Sequence, residues 1–147
     1  MLNKLISEIN KSNFKNFKSI QKVISNNSYD TQLITSCINT NKDEYHKKLI
    51  YRNSKYEMFL IYWGVNSKTK IHDHSEEGCI MKILKGDLRE LVYNENFELI
   101  DTNNYKEGDI SFIDNKIGYH KIINTNDNIS KSLHIYSPPN HQTKYFK

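Results

Sequence analysis

The stretch EMFLIYWGVNSKTKIHDHSEEGCIMKILKGDLRELVY, residues 57–93, decides the architecture. Its apolar residues fall in short runs of Ile, Leu, Tyr and Val, broken by turn formers at Asn66-Ser67 and Gly86-Asp87. β-Branched and aromatic side chains suit a pleated surface, while Gly, Asn, Asp and Ser supply turns. The pattern therefore predicts strands over 57–63, 71–74, 79–84 and 88–93. Outward from this stretch, a strand over 49–52 precedes it across Asn53-Ser54. Strands over 110–113, 119–124 and 133–136 follow a turn at 94–96. Many short strands with frequent turns make a mainly β fold, a sandwich or a barrel.

The beginning of the chain has a different period. Leu2, Leu5, Ile6, Ile9, Phe14, Phe17, Ile20, Val23 and Ile24 recur at helical intervals. They predict one or two amphipathic helices, broken near Ser12-Asn13 and packed outside the strands. The polar stretch 39–48 is expected to hold another short helix. No repeat or low-complexity linker divides the 147 residues, so a single domain is expected. Its first 48 residues would be mostly helical and residues 49–147 would form the β part.

Composition narrows the function classes. Basic residues outnumber acidic ones 21 to 17, a net charge of +4 spread along the chain, with no basic stripe for nucleic acid. No apolar run is long enough for a membrane span, and the first residues do not read as a secretion signal. Cys37 and Cys79, the two cysteines, make no disulfide framework. The expectation is a cytoplasmic, monomeric protein with reduced thiols.

The sharpest local motif is His72-Asp73-His74. Residues i and i+2 of a strand face the same side, so the two imidazoles project together, as two ligands of one metal require. His120, in Gly118-Tyr119-His120 on a later strand, is placed to face them across a barrel interior. His134 lies in Ser132-Leu133-His134-Ile135-Tyr136. There Ser132, His134 and Tyr136 share one face, and Leu133 and Ile135 take the other. Three polar residues facing an interior each need a hydrogen-bond partner, which points to a site rather than plain packing. His46 and His141, in polar surroundings, are expected on the surface.

Taken together, these motifs resemble the cupin superfamily and, within it, the cysteine dioxygenases. The first cupin motif runs His-x-His, then Glu, then Gly seven residues on; His72, His74 and Gly86 match, and Cys79 holds the Glu position, as in cysteine dioxygenases. Gly118, His120 and Asn124 match the second motif, Gly-x-His-x-x-x-Asn. Residues 132–139 resemble the family's Ser-His-Tyr strand and proline pair, with a cis Ser137–Pro138 bond. Tyr51-Arg52-Asn53 resembles the strand that carries its substrate-binding arginine. The match keeps its order from Leu49 to Pro139.

The resemblance implies a cupin-type β-barrel, or jelly roll, with the helices outside. It implies one iron(II) per chain on His72, His74 and His120. Three imidazoles also suit zinc, nickel and copper, so iron follows from the resemblance and not from the donors. Arg52 would bind the substrate carboxylate, since a guanidinium offers two parallel hydrogen bonds that a lysine does not. Tyr136 and Cys79 would form the family's thioether crosslink. His134 would orient the Tyr136 phenol and touch substrate, and Ser132 would orient His134. The implied partners are a small thiol and dioxygen, and the implied reaction turns L-cysteine into cysteine sulfinic acid.

The resemblance has departures. Ile50 stands where the family often has a pocket tyrosine, and the tail after Pro139 is short. Two other readings stand beside the first: a dioxygenase for 3-mercaptopropionate or another small thiol, and a non-catalytic metal- or ligand-binding cupin. An isomerase-type or sugar-binding cupin would require a carboxylate ligand where Cys79 stands.

Overall fold

The computed structural model describes residues 2–12, 16–26 and 38–146. Helix α1 spans Leu2–Lys11, and a 3₁₀ turn at Phe17–Ser19 leads into α2, Ile20–Asn26. Ten strands follow: β1 Tyr45–Arg52, β2 Glu57–Trp63, β3 Ile71–His72, β4 Gly78–Lys85, β5 Leu88–Tyr93, β6 Leu99–Tyr105, β7 Ile110–Ile113, β8 Tyr119–Ile123, β9 Ser130–Ser137 and β10 Tyr145–Phe146. They form two five-stranded antiparallel sheets, ordered β1-β2-β9-β4-β7 and β10-β3-β8-β5-β6. The fold is mainly β, a cupin-type barrel with the helices packed outside. No helix among the described residues is long and apolar enough to cross a membrane.

The first sheet is buried on both faces, which explains why β2 reads as a continuous apolar run. Met58, Leu60 and Tyr62 of β2, Ile80 and Leu84 of β4, and Leu133 and Ile135 of β9 point outward and pack under Leu5, Ile9, Phe17, Ile20 and Ile24. The alternate residues Ile61, Trp63, Met81 and Ile83 point inward and meet Leu88 and Ile122 of the second sheet. Spacing i, i+4 at Leu5/Ile9 and Ile20/Ile24 puts each helix's buried residues on one stripe.

Two expectations change. No helix forms in 39–48: residues 42–43 make a turn and β1 starts at Tyr45, inside the span expected to be helical. Pairing to β2 from Tyr45↔Trp63 onward supplies hydrogen bonds that a polar local pattern does not reveal. Strand β6 was also hidden, because it is an exposed edge of sequence LIDTNNY with no apolar alternation. Phe14 and Cys37 lie outside the described residues.

The two motif glycines and the motif asparagine are structural. Gly86 has φ +77°, and a Cβ there would fall 2.4 Å from Ser130 Oγ. Gly118 has φ +152°, with the carbonyl oxygen of Tyr93 2.5 Å from any added Cβ. Both positions therefore require a residue without a Cβ. Asn124 is buried, and its Nδ2 lies 3.0 Å from the carbonyl oxygens of Trp63, Gly64 and Asn128. Its Oδ1 accepts from Ser130 Oγ and the Asn126 amide. It ties the connection after β2 to the loop between β8 and β9.

Candidate metal centre

Strand β3 runs beside β8 with His72 opposite His120, so the register of one strand pair brings two imidazoles together. His74 follows on the same face. Its backbone is clipped by Asn115, which accepts from the His74 amide at 2.8 Å and donates to the His74 carbonyl at 3.0 Å. One ring nitrogen from each of the three histidines lies within 4.8 Å of the others. Ring centroids are 4.6 Å apart for His72–His120 and 4.3 Å for His74–His120.

Hydrogen bonding fixes two of the tautomers. His72 Nδ1 lies 2.8 Å from the Lys70 carbonyl oxygen, which only accepts, so Nδ1 carries the proton and Nε2 is free. Nδ1 of His120 lies 2.7 Å from Glu90 Oε2, and both side chains are buried. Tyr105 and Asn103 donate to the other Glu90 oxygen at 2.9 and 3.1 Å, leaving Oε2 to accept from His120. Burial pushes Glu90 above the ordinary carboxyl range, against those two donors. Among the described residues neither ring nitrogen of His74 has a hydrogen-bond partner of ordinary geometry, although the ring is fully enclosed. An orphaned buried imidazole is costly unless something else takes its lone pair. Burial and the neighbouring rings hold His74 and His120 well below the ordinary histidine range, and burial lowers His72 as well. Neutral rings with free lone pairs are what metal ligation requires. The three side chains fit a divalent metal such as iron(II), zinc or copper.

Beside the histidines, β9 and β4 lay a second constellation. Trp63 Nε1 donates to Ser132 Oγ at 2.8 Å, and Ser132 Oγ lies 2.7 Å from His134 Nε2. Indole N–H only donates, so it occupies one lone pair of Ser132 Oγ; with the serine proton directed to His134 Nε2, His134 carries its own proton on Nδ1. That Nδ1 lies 3.4 Å from the Tyr136 hydroxyl and 3.9 Å from Cys79 Sγ. Cys79 and Tyr136 are direct partners across the β4–β9 ladder, and Tyr136 packs against the small cluster of Cys79, Val92 and Ile113. Burial pushes the Cys79 thiol up to about 12 and lifts the Tyr136 phenol well above its usual value, so both hold their protons at neutral pH.

Arg52 sits differently from a free carboxylate clamp, because a protein carboxylate already holds it. It lies at the end of β1 next to the hairpin turn, and its Nε and Nη2 reach Glu57 Oε2 at 2.8 and 2.7 Å. The side chain is 41% exposed and does not line the cavity; Glu57, its partner across the hairpin, is the nearest carboxylate and takes the fork. The cation that does line the cavity is Lys47. His141 is a correction: it lines the cavity rather than standing on the outer surface. Asp73, on the opposite face of the His-x-His strand, accepts from the Lys144 amide at 2.8 Å and lies 3.0 Å from His141 Nε2. This contact and the β3–β10 pairing lay His141, Thr143 and Tyr145 over the site. Ile50 packs against the helix-covered core instead of the cavity, and the Ser137–Pro138 bond is cis.

Glu90 escaped the sequence reading, although a signal for it existed: in Leu88–Tyr93, Glu90 shares a face with Leu88 and Val92, a charge on an apolar stripe. Lys47 had no such signal, because only the extension of β1 puts it on a cavity-facing strand.

A sequence profile of the family described as cysteine dioxygenase type I matches residues 1–147. The chain belongs to the cysteine dioxygenase type I family. A cysteine dioxygenase type 1 from Rattus norvegicus is 31% identical over 94 residues, covering 59% of this chain and 47% of the relative. The chain thus spans about half the length of the curated relatives of the cysteine dioxygenase family that it matches. Among solved structures, a Klebsiella pneumoniae protein with a double-stranded β-helix domain has a TM-score of 0.64 at 11% identity, covering 78% of this chain and 94% of its own. A cupin superfamily protein from Desulfitobacterium hafniense has a TM-score of 0.55 at 11% identity, covering 68% and 83%. These two likenesses bear on the fold alone, the barrel on which the cysteine dioxygenase family is built.

Proposed function

We propose that this chain is a thiol dioxygenase that holds one iron(II) on His72, His74 and His120 and converts L-cysteine with dioxygen to cysteine sulfinic acid. The observation that carries the reading is the carboxylate-free trio of neutral imidazoles beside the facing Cys79 and Tyr136 of the β4–β9 ladder. Bound iron(II) would supply a cationic centre with open positions where a thiolate and dioxygen meet.

The remaining chemistry belongs to the chain's own side chains. The run Trp63–Ser132–His134 turns one Nδ1–H toward the Tyr136 oxygen, so the phenol's own proton is offered to Cys79 or to a ligand in the cavity. Joining Cys79 to Tyr136 through a thioether removes two hydrogens, with dioxygen as oxidant, and pins the phenol ring. His141, Thr143 and Tyr145 screen the cavity from bulk water.

Oxygen uptake by iron(II)-loaded protein with L-cysteine tests the reading. One dioxygen consumed per sulfinate formed is expected; absence of uptake with any small thiol overturns it. Peptide mapping after turnover is expected to show a linked Cys79–Tyr136 peptide, and an unlinked pair in fully active protein removes the crosslink from the proposal. A second reading takes 3-mercaptopropionate, which carries the same carboxylate but no α-amine, as the thiol. A clear preference for that thiol over L-cysteine would replace the first choice.

A further inference from the structure

The chain has six histidines. Three make the trio, and His134 accepts from Ser132 on one ring nitrogen and carries its proton on the other. His46 sits on the outward face of β1, ring to ring with Tyr62. His141 lines the cavity from the tail, and its side chain is 27% exposed, so it stands between cavity and solvent. Its Nε2 lies 3.0 Å from Asp73 Oδ1. A carboxylate only accepts, so Nε2 carries the proton of the neutral ring and Nδ1 keeps its lone pair. Among the described residues Nδ1 has no hydrogen-bond partner. Asp73 is itself fixed by the Lys144 amide at 2.8 Å. Besides the histidines and Asp73, the ionisable groups on the cavity wall are Lys47, Glu57, Tyr45, Tyr136 and Tyr145. Glu57 is held by Arg52, and burial raises the Tyr45 and Tyr136 phenols further above neutrality. Outside the trio, His141 therefore brings the one open imidazole lone pair to this wall among the described residues.

We propose that His141, with Asp73 behind it, takes the proton of the substrate thiol. The assignment rests on the thiol dioxygenase reading and deepens it. Sulfur binds a divalent metal as thiolate, so the thiol must shed its proton as it arrives. In the step, the S–H bond breaks and its electron pair stays on sulfur, while an N–H bond forms at His141 Nδ1. The imidazolium so formed faces the Asp73 carboxylate, which favours it, as a carboxylate behind an imidazole does in catalytic dyads. The proton then passes to water from the exposed edge of the ring. Imidazole is the commonest general base, and this one is carried by the same tail that covers the site.

The test compares wild-type protein with His141→Gln and His141→Asn at equal bound iron(II). Either amide keeps a donor for Asp73 but has no basic lone pair. Binding is read without turnover, by anaerobic calorimetry with L-cysteine in two buffers of different ionisation enthalpy. This counts the protons released per thiol bound. At pH 7 the variants are expected to release up to about one proton more than wild type, the thiol's own. Turnover is read separately as kcat/KM for oxygen uptake. The variants are expected to lose about a hundredfold at pH 7, the lower range for a positioned base. They are expected to recover most of that at pH 9, where a free thiol is largely ionised beforehand. A merely structural role for His141 costs the same at both pH values. Equal proton release by variants and wild type, or an equal deficit at pH 7 and pH 9, overturns the assignment. Extra proton release by the variants, with no oxygen uptake by wild type, upholds His141 and refutes the dioxygenase reading. Oxygen uptake with equal proton release does the reverse, and wild-type protein that neither binds L-cysteine nor consumes oxygen refutes both.

Discussion

At the scale of single residues, the centre is defined by what stands behind each imidazole. A backbone carbonyl holds His72, a carboxylate holds His120, and among the described residues no hydrogen bond of ordinary geometry holds the ring of His74. Glu90 thus returns negative charge to a set of ligands that is itself neutral, one bond removed from the metal position. Glu90→Gln keeps an acceptor for Nδ1–H but removes that charge. We expect metal affinity to fall by roughly tenfold, the lower end for loss of a partner behind a ligating histidine, measured by competition with a chromogenic chelator. Much of this scale was readable beforehand. His72, His74 and His120 needed only the two-residue period of strands and the family pattern. Ser132, His134 and Tyr136 were betrayed by polarity on an alternating strand. For Arg52 the sequence shows the reach of a guanidinium but not the protein carboxylate that meets it, which is Glu57.

At the scale of elements, strand pairs set the site and loops hold the strands to it. Asn124 is the clearest case, since one amide serves three carbonyls at the end of the barrel. Asn124→Ala removes the donor those carbonyls share, while Gly64 O keeps a second one, the Ser67 amide. We expect a loss of about 3 kcal/mol of stability with unchanged metal stoichiometry, measured by urea denaturation and metal analysis. The strands legible from sequence were those with apolar alternation or continuous apolar runs, such as β2, β4, β5 and β9. Those that escaped were β6 and β10, and the first half of β1. Their side chains are largely exposed, so their backbone pairing leaves little mark on residue type. The tail strand β10 is held by Asp73, the middle residue of the histidine motif, whose role depends on a segment about 70 residues away.

At the scale of the molecule, the groups that keep their protons when buried make the fold sensitive to alkali. An exposed thiol titrates near 9.0, but the folded chain holds Cys79 to about 12 through burial. Burial also raises Tyr56, Tyr105 and Tyr136 from an ordinary value of 10.0. A raised folded value favours the folded state fully below the unfolded value, and the contribution is lost as pH rises beyond it. Protein that has never met substrate is therefore expected to keep a constant contribution from these groups below pH 9. It should lose up to about 1.4 kcal/mol per pH unit for each group in turn above that. Urea midpoints at pH 8 and pH 10.5 check this, and Cys79→Ser is expected to flatten the first part of the decline. The two-faced first sheet has a consequence of another kind, for the order in which the protein is made. Chains emerge from the ribosome N-terminus first. Leu5, Ile9, Ile20 and Ile24 are therefore synthesised before any strand they cover, and β9, at the middle of that sheet, arrives more than a hundred residues later. The cover is built before its wall, and the newborn helices carry a bare greasy stripe until β9 has emerged.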